Sequence, residues 1–237
     1  MDTNKPIRIN KFLSSLGTYS RRQVDKLIEE KRIKVNKKYA KLGIRVSTND
    51  EITIDGELIL IKSRKKKPVY LILNKPIGIE CTTNLNVNNN IIDFLGYPKR
   101  IFPIGRLDKD SEGIIFLTND GDIVNKILRS ENNNEKEYEV RVNKKINSDF
   151  LNQMSGGVKI KNVTTKPCKI EKINNYTFKI ILTQGLNRQI RKMCRHFNYK
   201  VKNLKRTRII NISLGSLKIG KFRKFTPYEL ESLMDHL

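Results

Sequence analysis

The chain has 237 residues, enough for one large domain or for a small domain followed by a larger one, and 38% of them are hydrophobic, ample for a core. Its 48 Lys and Arg residues face 24 acidic ones, a formal charge of +24 that favours a polyanionic partner, with nucleic acid the first candidate. No apolar run approaches the roughly 20 residues that span a bilayer, and the N-terminus has no signal-peptide stretch, so membrane insertion and export are disfavoured and a cytoplasmic location is expected.

Near the N-terminus, Ile9, Phe12, Leu13 and Leu16 recur at helical spacing, with Arg8 and Lys11 on the same predicted helix. Ser20 followed by Gln23 is a capping-box signature for a second helix, which buries Val24, Leu27 and Ile28 and presents Arg21, Arg22 and Lys26. Short strands are predicted at 33–35 and 52–54, the second running into an Asp55-Gly56 turn. Guanidinium groups beside helix N-terminal amides make a phosphate-binding surface suited to the shape of folded RNA. The run Lys62-Ser63-Arg64-Lys65-Lys66-Lys67-Pro68 has the composition of a solvated linker, so the expected organisation is a small basic domain at 1–63, a linker at 64–68 and a larger domain at 69–237.

In the larger domain the pattern predicts strands at 69–73, 114–117, 138–142, 168–173, 177–182 and 208–214. Helices are predicted at 91–95, 121–128, 150–154, 188–197 and, after the Thr226-Pro227-Tyr228-Glu229 start signal, 228–237. Short strands with interspersed helices and no long crossovers give an α+β fold on a mostly antiparallel sheet. Asn74-Lys75-Pro76-Ile77-Gly78 reads as the turn out of its first strand, scaffold first and RNA contact second.

Cys81, Cys168 and Cys194 are widely spaced and form no C-x-x-C pair, so neither a disulfide framework nor a zinc ribbon is indicated and a reducing compartment fits. Cys194 and His196 lack a second ligand pair, and no metal is expected. There is no P-loop and no dinucleotide-binding glycine fingerprint.

The most informative segment is Gly-Arg-Leu-Asp-Lys-Asp-Ser-Glu-Gly-Ile-Ile-Phe-Leu-Thr-Asn-Asp-Gly at 105–121, a polar loop carrying Asp108 that runs into an apolar strand. A short carboxylate between Gly105 and Gly113, where the backbone turns sharply and another molecule can approach, has the geometry of a catalytic loop. This stretch resembles the catalytic loop of the RsuA/Rlu family of RNA pseudouridine synthases. Lys136-Glu137-Tyr138, the segment from Gln184 to Arg191 and Lys205-Arg206-Thr207-Arg208-Ile209 match further motifs of that family, and residues 6–63 resemble an S4 RNA-binding domain.

The resemblance implies an S4-like domain ahead of a pseudouridine synthase core with a mostly antiparallel mixed sheet and flanking helices. It implies that Asp108 is the catalytic carboxylate, that Arg191 pairs with it and keeps it ionised, and that Tyr138 stacks on the base. Arg106 aligns with the residue that fills the gap left by an extruded nucleotide. Arg188 and Lys192 would meet phosphates, Arg206 and Arg208 would contact RNA, and Leu204 would pack against the active site.

The implied reaction breaks the N-glycosidic bond of a uridine, turns the bound uracil and rejoins it through C5 to C1′, with no cofactor. Asp108 would act as nucleophile or would abstract a sugar proton. The chain looks most like the RluF branch, so the expected substrate is large-subunit rRNA, with tRNA as a second target, no DNA and no membrane, and the enzyme is expected to be a monomer. A non-catalytic RNA-binding or ribosome-assembly protein on the same scaffold is the alternative, and a base-expelling DNA glycosylase is a third reading.

Overall fold

A two-residue strand, β1 (Ile7–Arg8), leads directly into α1 (Ile9–Ser15). Arg8 is therefore exposed on a strand at the helix boundary and is not on the helix face expected for it. The capping box starts α2 (Arg21–Glu29): Ser20 Oγ accepts from the Gln23 amide at 3.2 Å, and Gln23 Oε1 accepts from the Ser20 amide at 2.7 Å. Next come β2 (Ile33–Val35), β3 (Lys38–Tyr39), β4 (Arg45–Val46), β5 (Ile52–Ile54) and β6 (Glu57–Leu58). One sheet has the order β3-β2-β5-β6, and β1 pairs with β4. Asp55 and Gly56 join β5 to β6 with φ of +55° and +86°, the two positive φ values that a tight hairpin demands. Ile9, Leu13, Val24, Ile28, Ile33 and Ile52 make the centre of this unit's own core.

The computed structural model describes residues 5–59, 68–128 and 133–237, and the linker residues expected at 64–67 lie outside them. The chain divides into two compact units at Pro68/Val69.

The second unit begins with β7 (Tyr70–Lys75), α3 (Ile91–Leu95), β8 (Phe102–Ile104), β9 (Glu112–Thr118) and α4 (Gly121–Leu128). Then follow β10 (Lys136–Val142), α5 (Ser148–Ser155), β11 (Lys159–Ile160), β12 (Val163–Thr164), β13 (Lys169–Asn174) and β14 (Thr177–Leu182). The chain ends with α6 (Gln189–His196), β15 (Val201–Ile209), β16 (Ile212–Ser213), β17 (Phe222–Lys224) and α7 (Pro227–Asp235). The main sheet runs β13-β14-β10-β15-β9-β7-β17, with β8 added on β9 and β16 on β15. Every pairing in it is antiparallel except β9 with β15, which makes the sheet mixed and the unit α+β.

Side-chain alternation sorts the core onto the sheet's faces. Along β7, Leu71 and Leu73 join Ile91, Leu95, Leu107 and Ile115 under α3, while Ile72 joins Phe116, Ile123 and Leu233 under α4 and α7. Val140, Phe150, Phe178, Met193 and Leu204 fill a third cluster between the sheet, α5 and α6.

The strand expected at 208–214 is a correction. β15 begins at Val201, and the chain reverses at Ile210, whose φ is +55°, before β16 runs back along it. The turn is Ile210-Asn211, and a lone Asn inside a β-branched run is a weak turn signal beside the strand pattern on either side of it.

Candidate functional site

Asp108 lies in the loop between β8 and β9, on the side where β9 meets β15. The loop is held from three directions. The Ser111 amide donates to the Asp108 carbonyl at 3.0 Å, the Gly78 amide donates to the Lys109 carbonyl at 2.8 Å, and the Leu107 amide donates to Cys81 Sγ at 3.4 Å. Its end is set by Gly113, with φ +111°, where the backbones of β9 and β15 come so close that a Cβ would stand 2.2 Å from the Arg206 carbonyl oxygen.

Two arginines from the start of α6 face this loop. Arg188 has φ +51° and caps α6 without a side-chain hydrogen bond to the helix. Its guanidinium makes a two-point contact with Asp110, at 2.9 and 2.8 Å, and stands 3.6 Å from Asp108 Oδ2. This contact holds the Asp110 carboxyl below the usual carboxylate range. Arg191 donates through one terminal nitrogen to the Asp110 carbonyl at 2.7 Å and to Ser111 Oγ at 3.1 Å. Its Nε is buried, makes no hydrogen bond and lies between the two acids, 3.5 Å from Asp110 Oδ2 and 4.0 Å from Asp108 Oδ2. The Asp108 side chain keeps 28% of its surface exposed, so one side of the carboxylate is open.

Tyr138 is half-buried on β10 and packs against both the Val140 cluster and the cluster containing Leu107, the residue before Asp108. Leu204 is buried in the former cluster, opposite Val140. Arg106 is exposed beside the loop. Lys192 reaches back to the Asn187 carbonyl and side-chain oxygens at 2.6 and 3.1 Å, bracing the turn that carries Arg188.

Two arginines sit differently from expectation. Arg206 is only 4% exposed and donates Nε to the Ile114 carbonyl at 2.8 Å, so its guanidinium is buried beneath the loop and offers no surface to RNA. Strand alternation next to Gly113 turns it inward. Arg208 is engaged by Glu135 at 2.8 Å and Glu137 at 3.6 Å, and also donates to the Ile210 carbonyl.

Lys75 and Asp110 belong to the site although the sequence reading gave neither a chemical role. Lys75 is fully buried, and its Nζ donates to the Pro76 and Ile79 carbonyls at 2.8 Å each. Burial lowers its pKa, partly offset by Cys81, Asp110 and Asp108. The signal that could have found it is a lysine closing the mostly apolar strand Leu71-Ile72-Leu73-Asn74-Lys75 just before Pro76. Asp110 was visible in the same loop as Asp108, two residues on.

In the first unit, Arg21 and Arg22 are exposed at the start of α2, Lys26 is exposed and pairs with Glu30 at 3.7 Å, and Lys11 is half-buried on α1. Among the described residues no group of three His, Cys, Asp or Glu side chains is placed to hold a metal ion. No helix among them is long and apolar enough to cross a membrane.

The model of a family described as RNA pseudouridylate synthase matches residues 69–196, and that of the S4 domain matches residues 7–52. The chain is 50% identical over 228 residues to the dual-specificity RNA pseudouridine synthase RluF of Escherichia coli K12, covering 96% of this chain and 78% of that protein. It is 32% identical over 241 residues to ribosomal large subunit pseudouridine synthase B of Bacillus subtilis, covering 97% of each. A crystal structure of a pseudouridylate synthase is similar with a TM-score of 0.70 at 28% identity, covering 96% of this chain and 99% of that one.

Proposed function

The chain belongs to the RNA pseudouridylate synthase family, an isomerase with an S4 domain ahead of its catalytic fold, and from that premise we propose that Asp108 is the carboxylate that carries the reaction. The observation behind this reading is the half-open Asp108 carboxylate with the buried, unbonded Nε of Arg191 4.0 Å from it. The carboxylate thus faces a guanidinium while its oxygens stay uncommitted to any hydrogen-bond donor.

Asp108 then either attacks C1′ or removes a sugar proton, and the N1–C1′ bond breaks. The freed uracil turns, C5 bonds to C1′, and C5 loses its proton while N1 gains one. Tyr138 covers the base through the turn. Arg188, exposed and movable from Asp110, meets a phosphate near the target nucleotide, and Arg106 fills the stack that the nucleotide leaves.

The substrate is uridine in large-subunit rRNA, a reading supported by the name of the Bacillus subtilis relative, with tRNA as a second substrate in keeping with the dual specificity named for the RluF relative. Arg21 and Arg22 at the start of α2 hold the RNA backbone. The enzyme acts as a monomer in the reducing cytoplasm, a location that suits three free cysteines.

The deciding experiment is tritium release from C5-tritiated uridine in unmodified large-subunit rRNA and, separately, in tRNA. The wild type is expected to release tritium, and Asp108→Asn is expected to bind RNA equally well and release none. Release by a folded Asp108→Asn variant would remove the carboxylate from the mechanism.

A further inference from the structure

The end of the sheet that carries Asp108 continues into an aromatic edge that the reaction does not use. The Asn74 amide donates to the Lys221 carbonyl at 3.0 Å, and the Gly220 amide donates to the Asn74 carbonyl at 2.8 Å. The segment before β17 is thereby fastened beside Lys75 and the turn that grips Lys109. Phe222 stands opposite Leu73, two residues or about 7 Å along β7 from Lys75. Because paired residues share a face, Phe222 projects on the Leu73 side, the side of Leu107 and Tyr138.

Three aromatic rings gather there. Phe222 and Tyr97 meet edge to face with centroids 6.1 Å apart, and the Phe94 ring reaches within 3.6 Å of where a Cβ on Gly220 would lie. Phe222 remains 42% exposed and Phe94 38%. Adjoining apolar rings left this open offer a surface for contact with another molecule. Lys218 and Lys221 are exposed in the adjoining segment and Lys224 on the strand itself, so the surface pairs π-faces with positive charge. A protein strand is a poor occupant, since β17 is three residues long and ends on Lys224, features that blunt an edge against strand pairing.

We propose that this edge is a stacking platform for unpaired nucleotides flanking the target uridine, with Phe222 and Phe94 taking bases and Lys218 and Lys221 taking the adjoining phosphates. The proposal rests on the RNA-modifying activity of the family. It adds a single-strand contact on the catalytic unit, separate from the backbone contacts of the S4 domain. Stacking tolerates any base, so the platform selects for an unpaired, extended segment and not for a sequence.

The test uses the full chain with a fluorescein-labelled single-stranded oligouridylate and a blunt RNA duplex of equal length, read by fluorescence anisotropy across a salt series. Phe222→Ala and Phe94→Ala are each expected to weaken oligouridylate binding by about 5-fold to 150-fold, the span that alanine substitution of a stacking ring covers. Duplex affinity and the salt slope should be unchanged, and Phe222→Tyr should restore binding. Lys221→Ala should instead reduce the slope by about 0.7, the value for one phosphate on a single strand.

Oligouridylate binding unchanged in both alanine variants overturns the proposal. So does a wild-type dimer in sedimentation that Phe222→Ala dissociates, which would make the edge a contact between copies. Tritium release from rRNA by the same preparations reports the family activity independently, so its loss in the wild type is distinguishable from failure of the platform.

Discussion

Gly113→Ala is the substitution whose cost the structure defines most sharply. A Cβ there would lie 2.2 Å from the Arg206 carbonyl oxygen, 2.6 Å from its amide nitrogen and 2.9 Å from its carbonyl carbon. All three are backbone atoms, so no side-chain rotation relieves the overlap, and restoring an ordinary 3.4 Å contact opens the β9–β15 joint by about 1.2 Å. Holding a non-glycine residue at φ +111° costs about 1 to 3 kcal/mol, and the overlap costs about as much again, for a total of about 2 to 6 kcal/mol. The joint consists of the pairs Lys205–Glu112 and Arg206–Gly113, and it sets the distance from the Asp108 loop to the strand that follows α6. A displacement of about 1 Å at that distance costs about 100-fold in kcat. Urea unfolding followed by circular dichroism, together with tritium release at saturating RNA, reads both effects. Gly121→Ala is the control, because its Cβ meets nothing within 4 Å and the site opens a helix. A Gly113→Ala protein as stable and as active as Gly121→Ala would refute the reasoning.

Arg191→Lys is expected to lower kcat about 100-fold with little change in KM, since an ammonium that made the contacts to the Asp110 carbonyl and Ser111 would have no second nitrogen at the place of Nε facing the two acids; steady-state tritium release checks this. Ser20→Ala removes the side-chain half of the α2 capping box and should cost about 0.5 to 2 kcal/mol in denaturant unfolding of the first unit. Lys136, its Nζ on the Asn134 carbonyl, is brought down by burial, with Arg206 adding repulsion, from 10.5 to about 8. Between those values the unfolded chain binds the extra proton, so this group's contribution to stability rises with pH over that window and is flat below it. Unfolding of wild type and Lys136→Met across pH 7 to 11 isolates it, since the variant should lose that rise.

Elements whose start or stop is written in side chains were legible from sequence. The Ser20 and Thr226 capping boxes and the Asp55-Gly56 turn all stand where their residue types place them. The strands at 33–35, 52–54 and 177–182 and the helices at 91–95 and 121–128 coincide with the predicted spans. Two-residue strands such as β4 and β11 escaped because they are too short for alternation to show, and the end of β15 escaped because its turn, Ile210-Asn211, offers one Asn within a β-branched run. Within the site, the loop sequence located Asp108, but burial depends on tertiary pairing. Arg206 and Arg208 share a strand, but a bulge between them pairs Arg206 with Tyr138 and Arg208 with Glu137, consecutive residues of β10 that face opposite sides, so the first is enclosed beside Gly113 and the second is half-buried against two glutamates. Thr207, the residue between them, is no glycine or asparagine that would announce the bulge in sequence.

The arrangement of two carboxylates and two guanidiniums also explains why Asp108 need not be the acid most tightly bound. Asp110 takes Arg188 at 2.8 Å and fixes Arg191 through its carbonyl at 2.7 Å, so both cations are already held before they face Asp108. At 3.6 and 4.0 Å from Asp108 Oδ2, the two guanidiniums retain roughly 70 to 80% of the Coulomb attraction they would have at 2.8 Å, because that term falls only as the inverse of distance. The directional hydrogen bond, by contrast, is lost over the same interval. No donor among the described residues therefore occupies the Asp108 oxygens, whereas both Asp110 oxygens are engaged by Arg188. Had Arg188 closed on Asp108 as it does on Asp110, the same charge would have come with both oxygens engaged. The second acid of the loop thus draws the hydrogen bonds to itself and leaves the field to the first.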